Sequence, residues 1–437
     1  MTTAAPHPAP PSAPPPWQRC DDCGQRLRDD DPAAQCPTCG GLLAIEHPAP
    51  DESVATLRAR FDARCCMTSP GSQQSGVWRF AEVVHPTALR PVSYPEGNTP
   101  LLARTAIQRF AGCEPLLVKH EGMNPTGSFK DRGMTVGVTQ AVRLGARAVA
   151  CASTGNTSAS LASYAALAGI PALVFVPAGQ IALGKLTQTL AYGARTLLVR
   201  GDFDACLALA REASSRLGIY LLNSINPWRL EGQKTIVLEL LQQLRWDPPE
   251  WLALPAGNLG NTAAFGKALR EARAWGLISR VPRLLAVQAS GAAPFHRSFR
   301  DDFQERHRLK AETVATAIKI GDPASYDRAV SAIRETNGVV TAVSDEEILE
   351  AKAVIDAAGV GCEPASAASV AGVRRLVAEG VISASDRVVA LLTGHVLKDP
   401  GVLQWYHQEA QPSPTRANRP VEIEPDVGAL ERVLQGA

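Results

Sequence analysis

The chain has 437 residues, 45% of them hydrophobic and 20% charged, with a formal net charge of +1. That length accommodates two or three domains and a sizeable core, while near-neutrality removes the global field that draws a protein to nucleic acid or an anionic membrane. No apolar run reaches the ~18 residues needed to cross a bilayer, and the N-terminus MTTAAPHPAPPSAPPPW has neither the basic nor the apolar part of a secretory signal, so the expected location is cytoplasmic.

Residues 1–17 are Pro- and Ala-rich, offer nothing to bury and read as a disordered leader. Two CxxC pairs follow, Cys20 with Cys23 and Cys36 with Cys39, each trailed by a glycine, with twelve residues between Cys23 and Cys36. Each CxxC sets two thiolates on one turn, and the glycine permits the tight backbone that brings amides toward sulfur. Four thiolates suit a closed tetrahedral Zn2+ site of the structural type, so residues 18–45 read as a small zinc ribbon. Its Arg26 and Arg28 are outnumbered by Asp21, Asp22, Asp29, Asp30 and Asp31, a poor surface for phosphates, and no nucleic-acid partner is expected. The other six of the ten cysteines are scattered or adjacent at Cys65 and Cys66, which argues against a disulfide scaffold.

Residues 46–92 form a connector with a helical stretch at 53–61 and a Gly/Ser-rich loop at 68–76. From 93 to 405 short apolar runs alternate with helical patterns. Strands are predicted at 116–118, 148–151, 172–176, 196–199, 251–254, 283–287 and 388–392. Helices are predicted after the lysine at 130 and at 158–168, 181–192, 202–217, 232–244 and 261–275. Such alternation predicts an α/β fold with parallel sheets covered on both faces. Residues 406–437 are polar and Pro-rich, with a short helix at 426–434, and no internal repeat is present.

The segment EGMNPTGSFKDRG at 121–133 places Lys130 where a turn becomes a helix. Shielding from water and nearby helix-start amides disfavour an ammonium there and leave an amine able to form a Schiff base with an aldehyde. Three further loops each follow a predicted strand, where open α/β sheets place ligands. The first (Ser153, Thr154, Gly155, Asn156, Thr157) offers hydroxyls, an amide and helix-start N–H groups to a carboxylate or another small anion. The second (Gly257, Asn258, Leu259, Gly260, Asn261) has two glycines that let successive N–H groups turn inward on a phosphate, and it is neither a Walker loop nor GxGxxG. The third carries Thr393, a hydroxyl able to hydrogen-bond a ring nitrogen. Reactive lysine, phosphate cup, anion loop and neutral hydroxyl together match pyridoxal 5′-phosphate (PLP) with an amino-acid substrate.

The motifs NPTGSFKDRG, ASTGNTSAS, NSINPWRLEGQKT, PAGNLGN, ATAIKIGDP, GCEPASAAS and LLTGHVLKDP resemble, in that order, those of the threonine synthases, PLP-dependent enzymes of fold type II (the tryptophan synthase β-like group). The resemblance covers residues 96–400, and the N-terminal ribbon also occurs in some members. It implies two three-layer α/β domains behind the ribbon, the smaller one (134–244) closing on substrate. It makes Lys130 the Schiff-base lysine and places Phe129 beside the ring, Asn156 at the 3′-hydroxyl, Gly257 to Asn261 at the cofactor phosphate and Thr393 at the pyridine nitrogen. Ser153, Thr154 and Thr157 become candidates for the substrate carboxylate or phosphate, and Asn223, Ser224 and Arg229 for the phosphate of O-phospho-L-homoserine. The implied reaction turns that substrate and water into L-threonine and phosphate by γ-elimination and β-hydration, in a cytoplasmic homodimer. Serine or threonine dehydratases share the fold, and a cysteate synthase-like β-replacement on O-phosphoserine is the nearer rival. The ribbon also admits an adaptor built on an inactive enzyme fold.

Overall fold

The computed structural model describes residues 15–65, 71–179 and 186–435. Most of the leader, part of the loop at 68–76 and the first turn of the helix predicted at 181–192 lie outside the described residues; that helix is described as Thr187–Ala191. The chain divides into two units, Met1–Lys398 and Asp399–Ala437. The second holds two short helical segments, Pro400–Gln404 and Trp405–Glu409, and a helix at Val427–Gln435.

The first unit opens with a three-stranded antiparallel ribbon, in which β1 (Trp17–Cys20) pairs with both β2 (Arg26–Arg28) and β3 (Leu43–Glu46). After the connector, β4 (Leu101–Ala103) and β5 (Leu116–His120) begin a large sheet. The chain then leaves it to build a second sheet from β6 (Ala148–Ala152), β7 (Ala172–Pro177), β8 (Arg195–Val199) and β9 (Ile219–Leu221), all parallel, in the order β8-β7-β6-β9. It returns for β10 (Trp251–Pro255), β11 (Arg283–Ala289), β12 (Val339–Val343) and β13 (Val388–Leu392). The large sheet runs β12-β11-β10-β13-β5-β4, parallel except for the edge pair β4–β5.

Parallel strands buried on both faces must read as unbroken apolar runs. β6, β10 and β13 do, with every residue buried. On one face of the large sheet lies the core of Trp228, Val237 and Phe265; on the other, that of Ile348, Val370 and Val373. The smaller sheet likewise separates a core around Met134, Leu161 and Val174 from one around Phe175, Cys206 and Ala210. Each sheet is therefore the middle of three layers.

The helix Lys130–Arg143 contributes to cores on both sides, since Val136 packs with the large sheet's core and Met134 and Val138 with the small sheet's, and against it lies the helix Pro227–Gln243, which packs Trp228, Ile236 and Val237 into the large sheet's core. Glycine lets them touch: a Cβ at Gly232 would collide with the Arg132 carbonyl, and one at Gly133 would stand 3.0 Å from the Arg229 carbonyl. The second helix corrects the expectation of a start at 232, because it begins at Pro227. Asn226 caps it, accepting from the Trp228 and Arg229 amides, and Pro227 sits in the first turn, where its missing N–H costs nothing. Arg229 is thus a helix residue. Likewise Asn156 opens the helix Asn156–Ala168, two residues before the predicted start. The helices Tyr326–Glu335, Asp345–Ala357 and Pro364–Ala378, and strands β9 and β12, are additions to the elements predicted above.

Candidate active site

The lysine segment and the loop after β13 are hydrogen-bonded to each other. The Phe129 amide donates to the Thr393 carbonyl at 3.0 Å, the His395 amide donates to the Gly127 carbonyl at 2.9 Å, and Ser128 forms a β-bridge with Gly394. Lys130 is the first residue of its helix, and its Nζ lies 4.2 Å from the Phe129 ring centroid. Burial first, and the Arg229 cation second, bring its pKa down to about 7, against a smaller opposing pull from Glu363. The next residues of the motif are structural. Asp131 accepts from the Thr126 amide and hydroxyl and from Ser160, while Arg132 is paired with Glu121 and Glu239.

Arg229 is fully buried, yet only Nη1 has a partner, the Leu222 carbonyl at 3.0 Å. Its Nε and Nη2 are buried without partners, and desolvation lowers its pKa to about 10. A buried guanidinium with free donors is costly unless an anion meets it.

The remaining predicted residues gather around these two. Ser153, Thr154 and Thr157 are half-buried at the end of β6, where Ser153 Oγ accepts from the Gly155 amide at 3.2 Å. The Asn223 side chain is committed to main chain, accepting from the Ala152 amide at 3.1 Å and donating to its carbonyl. It thereby fixes the Ser153 loop beside the segment that leads to Arg229. Ser224 Oγ accepts from Asn258 Nδ2 at 2.6 Å, which joins that segment to the loop after β10.

In that loop Asn258 Oδ1 accepts from the Ala324 amide at 2.6 Å, so the Asn258 side chain braces the turn at both ends. Leu259 caps the helix Gly260–Ala274 with a φ of 63° and is buried. A Cβ at Gly257 would stand 2.9 Å from Ile318 Cα, so only glycine fits. Buried polar atoms without partners cluster here: Asn261 Oδ1, Thr262 Oγ1 and Ser325 Oγ. Ser325 joins the loop through its amide, which donates to the Asn258 carbonyl at 3.3 Å. Thr262 and Ser325 carry no role in the sequence reading; Thr262 ends the same strand-to-helix run, directly after the residues assigned to the phosphate, whereas Ser325 arrives by tertiary contact alone.

Thr393 and Asn156 meet on a residue that has no role in the sequence reading either. Asn156 Nδ2 donates to Glu363 Oε2 at 2.9 Å, and Thr393 Oγ1 is 3.1 Å from Glu363 Oε1. Lys398 is a second such residue, donating to Gln188 Oε1 at 2.5 Å.

Residues 92–394 match the family described as "Pyridoxal-phosphate dependent enzyme". The chain is 47% identical to the threonine synthase of Methanosarcina acetivorans over 384 residues, 87% of this chain and 92% of that protein. It is 42% identical to the threonine synthase of Methanocaldococcus jannaschii over 423 residues, 96% of this chain and 99% of that one. This chain belongs to the threonine synthase family. The fold agrees with that of the Escherichia coli threonine synthase structure, at a TM-score of 0.67 and 20% identity, covering 96% of this chain and 99% of that chain.

The residues present fit the cofactor that membership of the PLP-dependent threonine synthase family implies. Free hydroxyls at Thr262 and Ser325, beside a loop that admits no Cβ at Gly257, suit a phosphate at the start of the helix Gly260–Ala274. The ribbon likewise suits a metal. The sulfurs of Cys20, Cys23, Cys36 and Cys39 lie within 4.8 Å of one another, with Cys20–Cys39 at 3.5 Å and Cys23–Cys36 at 3.7 Å. Zinc–thiolate bonds of ~2.3 Å in a tetrahedron put the sulfurs ~3.8 Å apart. Gly24 and Gly40 hold φ of 73° and 75°, and their amides close on the Cys20 and Cys36 carbonyls.

Proposed function

We propose that this chain converts O-phospho-L-homoserine and water to L-threonine and phosphate, with PLP as cofactor and Zn2+ held by the four ribbon cysteines. The observation that carries the substrate is Arg229, a buried cation with two unpartnered donors whose charge is felt at Lys130. Its planar fork gives a phosphate paired hydrogen bonds, and the half-buried hydroxyls of Ser153, Thr154 and Thr157 stand ready for the substrate carboxylate. The relatives' names, threonine synthase, support the same product.

PLP, when bound, supplies the electron sink for breaking bonds along the amino-acid chain. The protein's own residues do the rest. Gly257 to Asn261, with Thr262 and Ser325, hold the cofactor phosphate; Phe129 packs against the ring; Asn156 and Thr393 take its two polar edges. Lys130 would hold the cofactor and move protons on the substrate, because an amine with a pKa near 7 both takes and gives a proton at neutral pH. Burial around Arg229 keeps water from competing for its free donors.

We take the working molecule to be a cytoplasmic homodimer whose smaller domain, 134–244, closes on substrate. Among the described residues no helix is long and apolar enough to cross a membrane. The deciding experiment supplies O-phosphohomoserine to the reconstituted enzyme and measures phosphate and threonine. Equal release of the two is expected. Inertness toward O-phosphohomoserine, with cysteate formed from O-phosphoserine and sulfite, overturns the substrate assignment.

A further inference from the structure

Glu363 precedes Pro364 at the start of the helix Pro364–Ala378 and is 4% exposed. Two other elements converge on its carboxyl, the start of the helix Asn156–Ala168 and the loop after β13. Oε2 accepts from Asn156 Nδ2 at 2.9 Å, and Oε1 is 3.1 Å from Thr393 Oγ1. Thr393 Oγ1 is also 2.9 Å from Ser366 Oγ, which accepts from the Gly394 amide at 3.0 Å. Gly394 makes room for this arrangement, since a Cβ there would collide with the Glu363 carboxyl. The cations facing it are Lys398 and Lys130, and Lys398 is bonded to Gln188. Burial pushes the Glu363 pKa up.

For a protonated Glu363, hydrogen counting then fixes a direction. The Asn156 nitrogen only donates, so a proton on Glu363 has one acceptor beside it, the Thr393 oxygen. A threonine hydroxyl carries one hydrogen. Accepting from Glu363, it keeps that hydrogen free to donate elsewhere; donating to an ionised Glu363, it can offer a ring nitrogen only a lone pair.

We propose that Glu363 is a positioning residue for the cofactor: its neutral carboxyl donates to Thr393, so that Thr393 donates to the heteroaromatic nitrogen and keeps it unprotonated, while its other oxygen sets the Asn156 amide. The proposal rests on the cofactor reading above and deepens it. One side chain thus fixes both polar edges of the ring and the protonation of its nitrogen.

The test reconstitutes wild type, Glu363→Gln and Glu363→Leu with PLP carrying nitrogen-15 in the ring. Glutamine imitates the neutral acid, with its amide nitrogen toward Thr393 and its oxygen toward Asn156, and is expected to keep the wild-type, unprotonated ring-nitrogen resonance. Leucine fills the space without polar atoms; its resonance is expected to move and cofactor dissociation to rise about tenfold or more. A protonated ring nitrogen in wild type overturns the proposal, as does a leucine variant with wild-type resonance and affinity. If the leucine chain does not fold, glutamine still decides, because a displaced resonance there is fatal. Wild type without a long-wavelength absorption band that depends on Lys130 sinks the cofactor reading itself; a normal band with an insensitive Glu363→Leu sinks this proposal alone.

Discussion

Arg132 and Arg229 are both fully buried, on two helices that touch at Gly133 and Gly232, yet their surroundings differ completely. Arg132 is saturated: Nε and Nη2 bind Glu121 at 2.7 and 2.8 Å, Nη2 also binds Glu239 at 2.9 Å, and Nη1 reaches the Gly76 carbonyl. Glu239 in turn holds Lys119 at 2.6 Å and Arg79 at 2.7 Å. Burial works against both charges, but the two carboxylates raise the Arg132 pKa, and Arg132, Lys119 and Arg79 hold Glu239 far below the usual carboxylate range. Arg229 has one carbonyl and two free donors. The same side chain at similar burial is therefore used in two ways: one ties the lysine motif to the connector and the helix behind it, the other keeps two buried donors unpaired, which the proposed function gives to a phosphate.

The largest expected effect follows from the saturated site. Arg132→Met leaves Glu121 and Glu239 short of a buried partner and is expected to cost about 3–5 kcal/mol of folding stability, read from urea unfolding of the apo-protein. A loss below the level of a surface substitution would mean the network is dispensable. Arg229→Met should behave oppositely. Removing an unpaired buried cation leaves apo stability unchanged or higher, while losing charge-assisted hydrogen bonds weakens the phosphorylated substrate roughly 10- to 100-fold. With PLP bound, so that the loop at Gly257 to Asn261 is filled, inorganic phosphate should raise the Tm of wild type and leave that of Arg229→Met unmoved. A variant as unstable as Arg132→Met, or one with wild-type KM, would erase the contrast.

This contrast is not readable from the sequence. Lys130 and the three loops are, because each is a contiguous run whose residue types announce their chemistry, and β6, β10 and β13 are, because strands buried on both faces read as apolar runs. Arg132 and Arg229 look alike in sequence; what separates them is a pair of carboxylates, Glu121 within the lysine motif and Glu239, 107 residues from Arg132. Glu363 sits inside a quoted motif, but its partner Asn156 is 207 residues away. The start of the Pro227–Gln243 helix is marked locally, since Asn226 and Pro227 are a cap signal. The helix Asp345–Ala357 likewise announces itself through a capping box of Ser344 and Glu347.

A third kind of buried group refines the comparison, one comfortable only when uncharged. His85 is fully buried, stacks on Trp228 at 4.1 Å between ring centroids and bonds through Nε2 to Gln140 Oε1 at 2.9 Å. Burial, above all, drives its pKa from 6.5 to about 3; the Gln140 bond and Glu231 oppose the shift, and the Arg143 and His47 charges reinforce it. A folded pKa below the unfolded one means the unfolded chain takes up a proton first as the pH falls. The His85 contribution is thus fully present above pH 6.5 and is lost as the pH drops toward 3, at about 1.4 kcal/mol per pH unit for one proton. His47, also depressed chiefly by burial, sits against Glu231 at 2.6 Å and adds a change of the same sign. The expected result is a wild-type Tm that declines below pH 6.5 and a His85→Gln variant whose Tm declines less steeply over that interval. Parallel pH profiles for the two proteins would show that burial does not hold His85 neutral in the folded chain.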